Sequence, residues 1–268
     1  MKFKILLILL AIGVISCTDK GSEVDKNEEI ETEQLDVDRQ YRPLLHLFTS
    51  TGCGGCGRFG IPVFSDVAAA MGDSILALPT HFKYNDKYIT SSSLAIEKGV
   101  VEHYSSPQIW VNADEITYDI IRYSKDVAKE KTKVFLRAEM NNQAEAFVGI
   151  DATLQSNGRF AIDLAVQRNV ETTENFFYEV YGMEDGPVGS QAGADPFVAT
   201  HYRVNRGGHF GDIGKKLEGE VNETLHENFE FIPCVDCAQE NMYFYVIVWK
   251  EVSPGRYAYV NGIMHKPS

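Results

Sequence analysis

The chain has 268 residues, with 38 acidic against 25 basic side chains for a formal net charge of −13, and 44% of it is hydrophobic. That length holds one large domain or two ordinary ones, and the apolar content rules out a wholly disordered polymer. The acidic balance excludes a nucleic-acid binder, because neutralising a phosphate backbone requires a basic surface.

Met1-Lys2-Phe3-Lys4 begins the chain with two positive charges, and an apolar run from Ile5 to Ile15 follows. A helix needs about 20 apolar residues to cross a bilayer, so this run is too short to span and reads as the charged and hydrophobic regions of a secretory signal. Val14-Ile15-Ser16-Cys17 resembles the bacterial lipobox. That resemblance implies cleavage after residue 16, lipidation of Cys17 and a membrane anchor, since two or three acyl chains hold lastingly where one does not. Residues 17–38 carry nine acids and two lysines, for a local charge of −7. Such a segment repels itself and buries too little apolar surface to offset its ordering entropy, so residues 17–39 are expected to be a disordered tether.

A first folded unit is expected over 40–131. Pro43 to Thr49 reads as a buried strand, and Thr51-Gly52-Cys53-Gly54-Gly55-Cys56-Gly57-Arg58 follows at once. Phe59, Val63, Phe64, Val67 and Met71 recur at helical spacing, with Gly72 as terminator. Ser74 to Phe82 is a second strand, weakened by Pro79, and Ser91 starts a helix to about His103. Ser106-Pro107 leads into a strand over 108–112, and Tyr118 to Lys131 has a helical pattern. A Cys-x-x-Cys pair alone serves zinc as readily as redox chemistry. Placed at a strand-to-helix junction and followed some fifty residues later by an X-Pro-strand element, it resembles the thioredoxin-like fold over about ninety residues.

Two physical reasons connect that placement to thiol chemistry. A cysteine starting a helix meets unsatisfied amide N–H groups and the positive end of the helix dipole, which favour its thiolate. Cys53 is therefore the candidate nucleophile and Cys56, one turn on, the resolving thiol. The resemblance further implies that Pro107 is cis and lies against the pair, with Ser106 and Pro107 offering backbone to an extended substrate. Two departures stand out: Gly52 replaces the tryptophan that often precedes the first cysteine, and Leu47 stands where some relatives carry a buried acid. Arg58 could supply local charge but reads more simply as a solvated helix-start residue. His46 and His81 are read as hydrogen-bonded structural residues.

From Lys133 onward the pattern shifts to period two. Strands are expected over 134–140, 146–154, 160–166, 176–181, 243–249 and 257–261, with a hairpin at Asn157-Gly158. Residues 132–268 thus read as an antiparallel β-sandwich of seven or eight strands. The fold class expected for the whole chain is α/β plus all-β. Tyr181-Gly182-Met183-Glu184-Asp185-Gly186 and Thr200-His201-Tyr202-Arg203-Val204-Asn205-Arg206, behind a lipobox and a thioredoxin-like unit, resemble the Omp-twenty-eight-related family of bacterial outer-membrane lipoproteins. The resemblance implies an envelope location, at the outer membrane and facing the periplasm or the surface. Glu184-Asp185-Gly186 could suggest calcium, but a solvated turn accounts for it.

Cys234-Val235-Asp236-Cys237 is a second such pair. A local structural or exchangeable disulfide ranks first for it, a redox partner of the first pair second, and a four-cysteine zinc site third, because the pairs are far apart in the sequence and envelope thiols oxidise. No resident metal or cofactor is expected. Two functions remain open. One is a membrane-anchored thiol–disulfide oxidoreductase acting on protein thiols or disulfides of the envelope. The other is a non-catalytic surface lipoprotein that uses both units as a protein-binding scaffold.

Overall fold

The computed structural model describes residues 34–83, 85–100 and 105–268. The expected signal over 1–16, the lipidation site Cys17 and the tether up to residue 33 lie outside the described residues, as does the expected helix end at His103.

β1 (Leu44–Thr49) is buried along its whole length. After the turn at Gly52 the chain enters a helical run at Gly54. Its stretch Cys56–Gly60 has π geometry, and the rest is α1 (Ile61–Met71). Pro62 accounts for the wide turn: it has no N–H to give, and its ring would collide with the carbonyl four residues back. The Ile61 amide reaches Cys56 O instead. Gly72, at φ 53°, ends the helix. β2 (Leu76–His81) runs parallel to β1 and forms the sheet edge, the one place where Pro79 costs no ladder bond to a further strand. α2 (Ser91–Val100) follows, then β3 (Gln108–Val111), β4 (Asp114–Glu115), α3 (Thr117–Ile120) and α4 (Lys125–Glu139). The first sheet has the order β2-β1-β3-β4.

α4 corrects the strand expected over 134–140. Its buried residues are Ala128, Thr132 and Leu136, an i, i+4, i+8 stripe, whereas Val134 is 62% exposed. The apparent period-two pattern came from apolar side chains that face water. The expected boundary between 131 and 132 falls inside this helix. The expected tether also ends earlier than residue 39: Val37 is buried beside Phe147 and Ala165, and Asp38 N–H donates to Val148 O at 2.9 Å.

The second half contains β5 (Ala146–Leu154) and β6 (Phe160–Arg168), joined through Gly158 at φ 79°. There follow β7 (Phe176–Glu184), β8 (Val188–Ser190), β9 (Val198–Thr200), β10 (Val204–Gly208), β11 (Lys215–Lys216), β12 (Thr224–Phe231), β13 (Met242–Ser253) and β14 (Arg256–His265). One antiparallel sheet has the order β10-β7-β13-β14, with β11 also paired to β7. A second has the order β12-β6-β5, and β8 and β9 pair with each other.

The β7–β13 sheet is buried on both faces. Phe176, Tyr178, Val180, Phe244, Val246 and Val248 pack on Val148, Ile150, Leu164 and Val166 of the β5–β6 sheet. Tyr181, Met183, Tyr245, Ile247 and Trp249 point the other way, onto Leu44, Phe48, Leu76 and Leu78 of the first sheet and Ile96 of α2. The opposite face of β1, through Leu45 and Leu47, meets Val63, Phe64 and Val67 of α1 and Leu136 of α4. Burial on two sides explains why Tyr243 to Trp249 is apolar without a break. Each fully buried large side chain contributes about 1.5–3 kcal/mol. The layers share side chains, and residues 35–268 form one compact unit.

Candidate functional site

Cys53 and Cys56 form a disulfide with Cα atoms 5.2 Å apart. Cys53 immediately precedes the helical run, and the Cys56 amide donates to Cys53 Sγ at 3.0 Å. In the reduced pair, that N–H and the helix end would both favour a Cys53 thiolate. Cys56 is fully buried, while Cys53 retains 6% of its surface.

The Ser106–Pro107 peptide is cis. Pro107 lies over the glycines of the motif: a Cβ at Gly55 would be 3.1 Å from Pro107 Cδ, and one at Gly60 2.7 Å from Pro107 Cβ. Gly60 is thus required by the close approach of the proline. Ser106 Oγ is buried without a hydrogen-bond partner. The structure therefore brings Cys53, Cys56, Ser106 and Pro107 into one neighbourhood.

A feature with no local sign in the sequence lies across this neighbourhood. The tip of the β8–β9 hairpin, Gln191–Ala194, runs along the Cys-x-x-Cys loop. Ala192 N–H donates to Thr51 O at 2.8 Å. The buried Gln191 side-chain amide donates to Ser50 O at 3.2 Å and Cys53 O at 3.1 Å. Contact is backbone to backbone: a Cβ at Gly57 would lie 2.2 Å from Ala192 O, and one at Gly193 2.1 Å from Gly54 O. Beside this strap an open cleft of about 470 Å³ is lined by Arg58, Pro62, Lys125, Gly193 and Asp195 among others. Arg58 is exposed there, as its solvated reading requires.

Below the loop is a buried polar cluster. Leu47 belongs to the apolar core, and the buried carboxylate near the site comes instead from Asp86. Its Oδ2 lies 2.7 Å from His81 Nδ1 and accepts the Thr51 amide at 2.6 Å, while Oδ1 accepts the Tyr88 amide at 3.0 Å. Burial raises the Asp86 pKa, but the His81 bond and charge and the two amides outweigh it and hold the carboxyl below its usual value. His201 packs 5.6 Å from the His81 ring and 5.0 Å from the Tyr88 ring, with a buried Nε2 that has no hydrogen-bond partner. Burial, reinforced by His81, lowers its pKa to about 4. His46, bonded to Thr80 Oγ1 at 2.8 Å, is pushed down to about 3 by burial alone. Both are neutral at pH 7. Sequence reasoning overlooked Asp86 and Gln191 and quoted His201 without placing it at the site, because each reaches the site through contacts distant in the chain or through a loop.

The two sequence stretches singled out in the second half meet each other. Glu184 pairs with Val204 and Met183 with Asn205 across β7 and β10. Glu184 accepts Arg206 Nε at 2.6 Å and the Ala238 amide at 2.9 Å, so its carboxylate is engaged by the protein. Asp185 Oδ1 accepts the Arg203 amide at 3.3 Å, and Arg203 donates to Tyr245 Oη at 2.9 Å. Gly182 makes room for Phe231, whose ring would lie 2.5 Å from a Cβ there. The stretches form a joint between strands.

Cys234 and Cys237 form their own disulfide, Cα atoms 5.2 Å apart, in the loop between β12 and β13. Asp236 is close to both sulfurs. With each pair bonded internally, all four sulfurs are engaged as disulfides, and no four-sulfur zinc arrangement is formed.

No family model matches the chain. No curated protein matches it. Among solved structures, HBP35 of Porphyromonas gingivalis is similar in fold: TM-score 0.65 at 14% identity, over 87% of this chain and 77% of that one. A domain of the outer membrane lipoprotein Omp28 from Porphyromonas gingivalis matches 47% of this chain and 89% of its own at 14% identity, with a TM-score of 0.32, too low to bear on the fold.

Proposed function

We propose that this chain is a thiol–disulfide exchange protein of the bacterial cell envelope, a thioredoxin-like unit fused through a common core to a β-sandwich and tethered by lipid on Cys17. The reading rests above all on one observation: the Cys53–Cys56 disulfide opens a helix whose Gly55 and Gly60 lie against cis-Pro107. The amide aimed at Cys53 Sγ gives that sulfur the better leaving-group and nucleophile character of the two. In the reduced state Cys53 thiolate attacks a substrate disulfide, forming a mixed disulfide and releasing one substrate thiolate. Cys56 then attacks the Cys53 sulfur, releases the second substrate thiolate and restores the Cys53–Cys56 bond. Two electrons pass to the substrate, and the reverse sequence oxidises a dithiol. Ser106 and Pro107 would line the groove for an extended substrate segment.

The envelope assignment is supported by the charged and apolar N-terminal run ending at Cys17 and by disulfides in both Cys-x-x-Cys pairs, which persist in oxidising compartments. Protein thiols and disulfides of that compartment are the partners. A second reading, a non-redox scaffold, is favoured by the 6% exposure of Cys53 beneath the Gln191–Ala194 strap. Replacing Cys53 by Ser separates the two: exchange with a model protein disulfide is lost if Cys53 is the nucleophile, and retained turnover rejects the assignment.

A further inference from the structure

We propose that the β8–β9 hairpin is a tethered stand-in for the polypeptide partner, a lid that lies along the Cys-x-x-Cys loop and must lift before Cys53 can react. This inference rests on the exchange reading above.

The strap behaves as a bound peptide would. It presents backbone to backbone, with Ala192 N–H on Thr51 O at 2.8 Å and the Gln191 side chain bonding to Ser50 O and Cys53 O. It therefore bonds along the segment that leads into the first cysteine and to that cysteine's own carbonyl. The approach is so close that neither surface tolerates a side chain: Gly57 faces Ala192 and Ala194, and Gly193, at φ +78°, faces Gly54. With the strap in place Cys53 keeps 6% of its surface, too little for a second polypeptide to reach its sulfur.

The hairpin is also built to move. Its strands have three residues each and pair only with one another, outside the larger sheets. An isolated two-stranded ribbon is marginal in water, and lids are drawn from such weakly held units. Val188 at 64% and Phe197 at 59% exposure face water, and the stem meets the body at Gly189 beside Lys87 and Tyr88, while the tip makes the hydrogen bonds to the Cys-x-x-Cys loop. The cleft beside Arg58 and Lys125 leaves space along the strap. The surface under the strap thus selects an extended polypeptide whose backbone can reach Thr51 O and which carries no bulky side chain over Gly57.

The test uses the full-length protein, two strap variants and the trapping variant Cys56→Ser. Gln191→Ala removes the side-chain bonds to Ser50 and Cys53, and Gly193→Ala places a Cβ against Gly54 O. The rate at which dithiothreitol or reduced thioredoxin opens Cys53–Cys56 is followed by alkylation and mass mapping, which separates this pair from Cys234–Cys237. In each case one reductant thiolate attacks Cys53 Sγ and Cys56 leaves as thiolate; the second reductant thiolate then attacks the reductant sulfur of the mixed disulfide, releasing Cys53 as thiolate and completing the two-electron transfer. Reduction by thioredoxin should accelerate at least tenfold in both variants, with a smaller gain for dithiothreitol. Should Gly193→Ala fail to fold, Gln191→Ala, which only deletes side-chain atoms, carries the test. Rates equal to or below wild type, with Cys56→Ser still trapping a mixed disulfide on Cys53, overturn the lid and leave exchange standing. A pair that stays oxidised in every folded variant overturns both.

Discussion

Trp249 and Tyr181 lie where the β7–β13 sheet meets the first sheet, both fully buried, and Trp249 Nε1–H donates to Tyr181 Oη at 3.1 Å. Tyr181→Phe keeps the ring and its packing but leaves the indole N–H without a partner in a dry core. Such an orphaned donor costs about 1–3 kcal/mol, well above the net worth of the bond itself. Because the site joins two layers of one core, the loss should move the whole protein. Urea unfolding followed by far-UV circular dichroism and by fluorescence of the two tryptophans, Trp110 in β3 and Trp249 in β13, should give coincident transitions that shift together by that amount. A loss under about 0.5 kcal/mol would show that the indole finds another partner. Two separate transitions, only one of them shifted, would refute the common core.

Glu179 gives a pH signature. Burial raises its carboxyl from the usual 4.5 to about 7 against the pull of four backbone amides, from Phe210, Val180, His209 and Gly211. The native state then holds a proton that the unfolded chain releases, so this group's contribution is complete below pH 4.5 and declines until about pH 7. Glu179→Gln should therefore gain about 3 kcal/mol relative to wild type between pH 4.5 and 7.5, read as the difference between unfolding free energies. A flat difference contradicts the raised pKa. Asp86→Asn removes the charged acceptor of the His81, Thr51 and Tyr88 bonds, and should cost about 1.5–3 kcal/mol in thermal or urea unfolding. A cost below about 1 kcal/mol would mean that the pair is not desolvated as described.

Local signals in the sequence were legible where structure is made locally. The strand before Cys53, the helix after it, Pro107 and the Asn157-Gly158 hairpin each rest on neighbours within a few residues. Helix α4 was misread because Val134 and Phe135 are apolar yet face outward, which hid the Ala128, Thr132, Leu136 stripe. Val37 was counted with the acidic tether because nothing nearby shows that Phe147 will cover it. Burial of the β7–β13 sheet on both faces is present in the unbroken apolar run 243–249, although the period-two reading of the second half implied strands with one wet face. The strap was not legible at all. Gly57 and Gly193 stand 136 residues apart, each reads as an ordinary loop glycine, and only the fold shows that Gly57 faces the strap backbone and Gly193 that of Gly54. Asp86 likewise supplies from a loop the buried carboxylate absent at Leu47.

The reduction potential of the Cys53–Cys56 pair, measured in defined glutathione or dithiothreitol buffers with mass mapping, bears most directly on the exchange function. The account predicts a value between about −120 and −270 mV, where catalysts of exchange lie. A value below about −300 mV would identify a structural disulfide and contradict it.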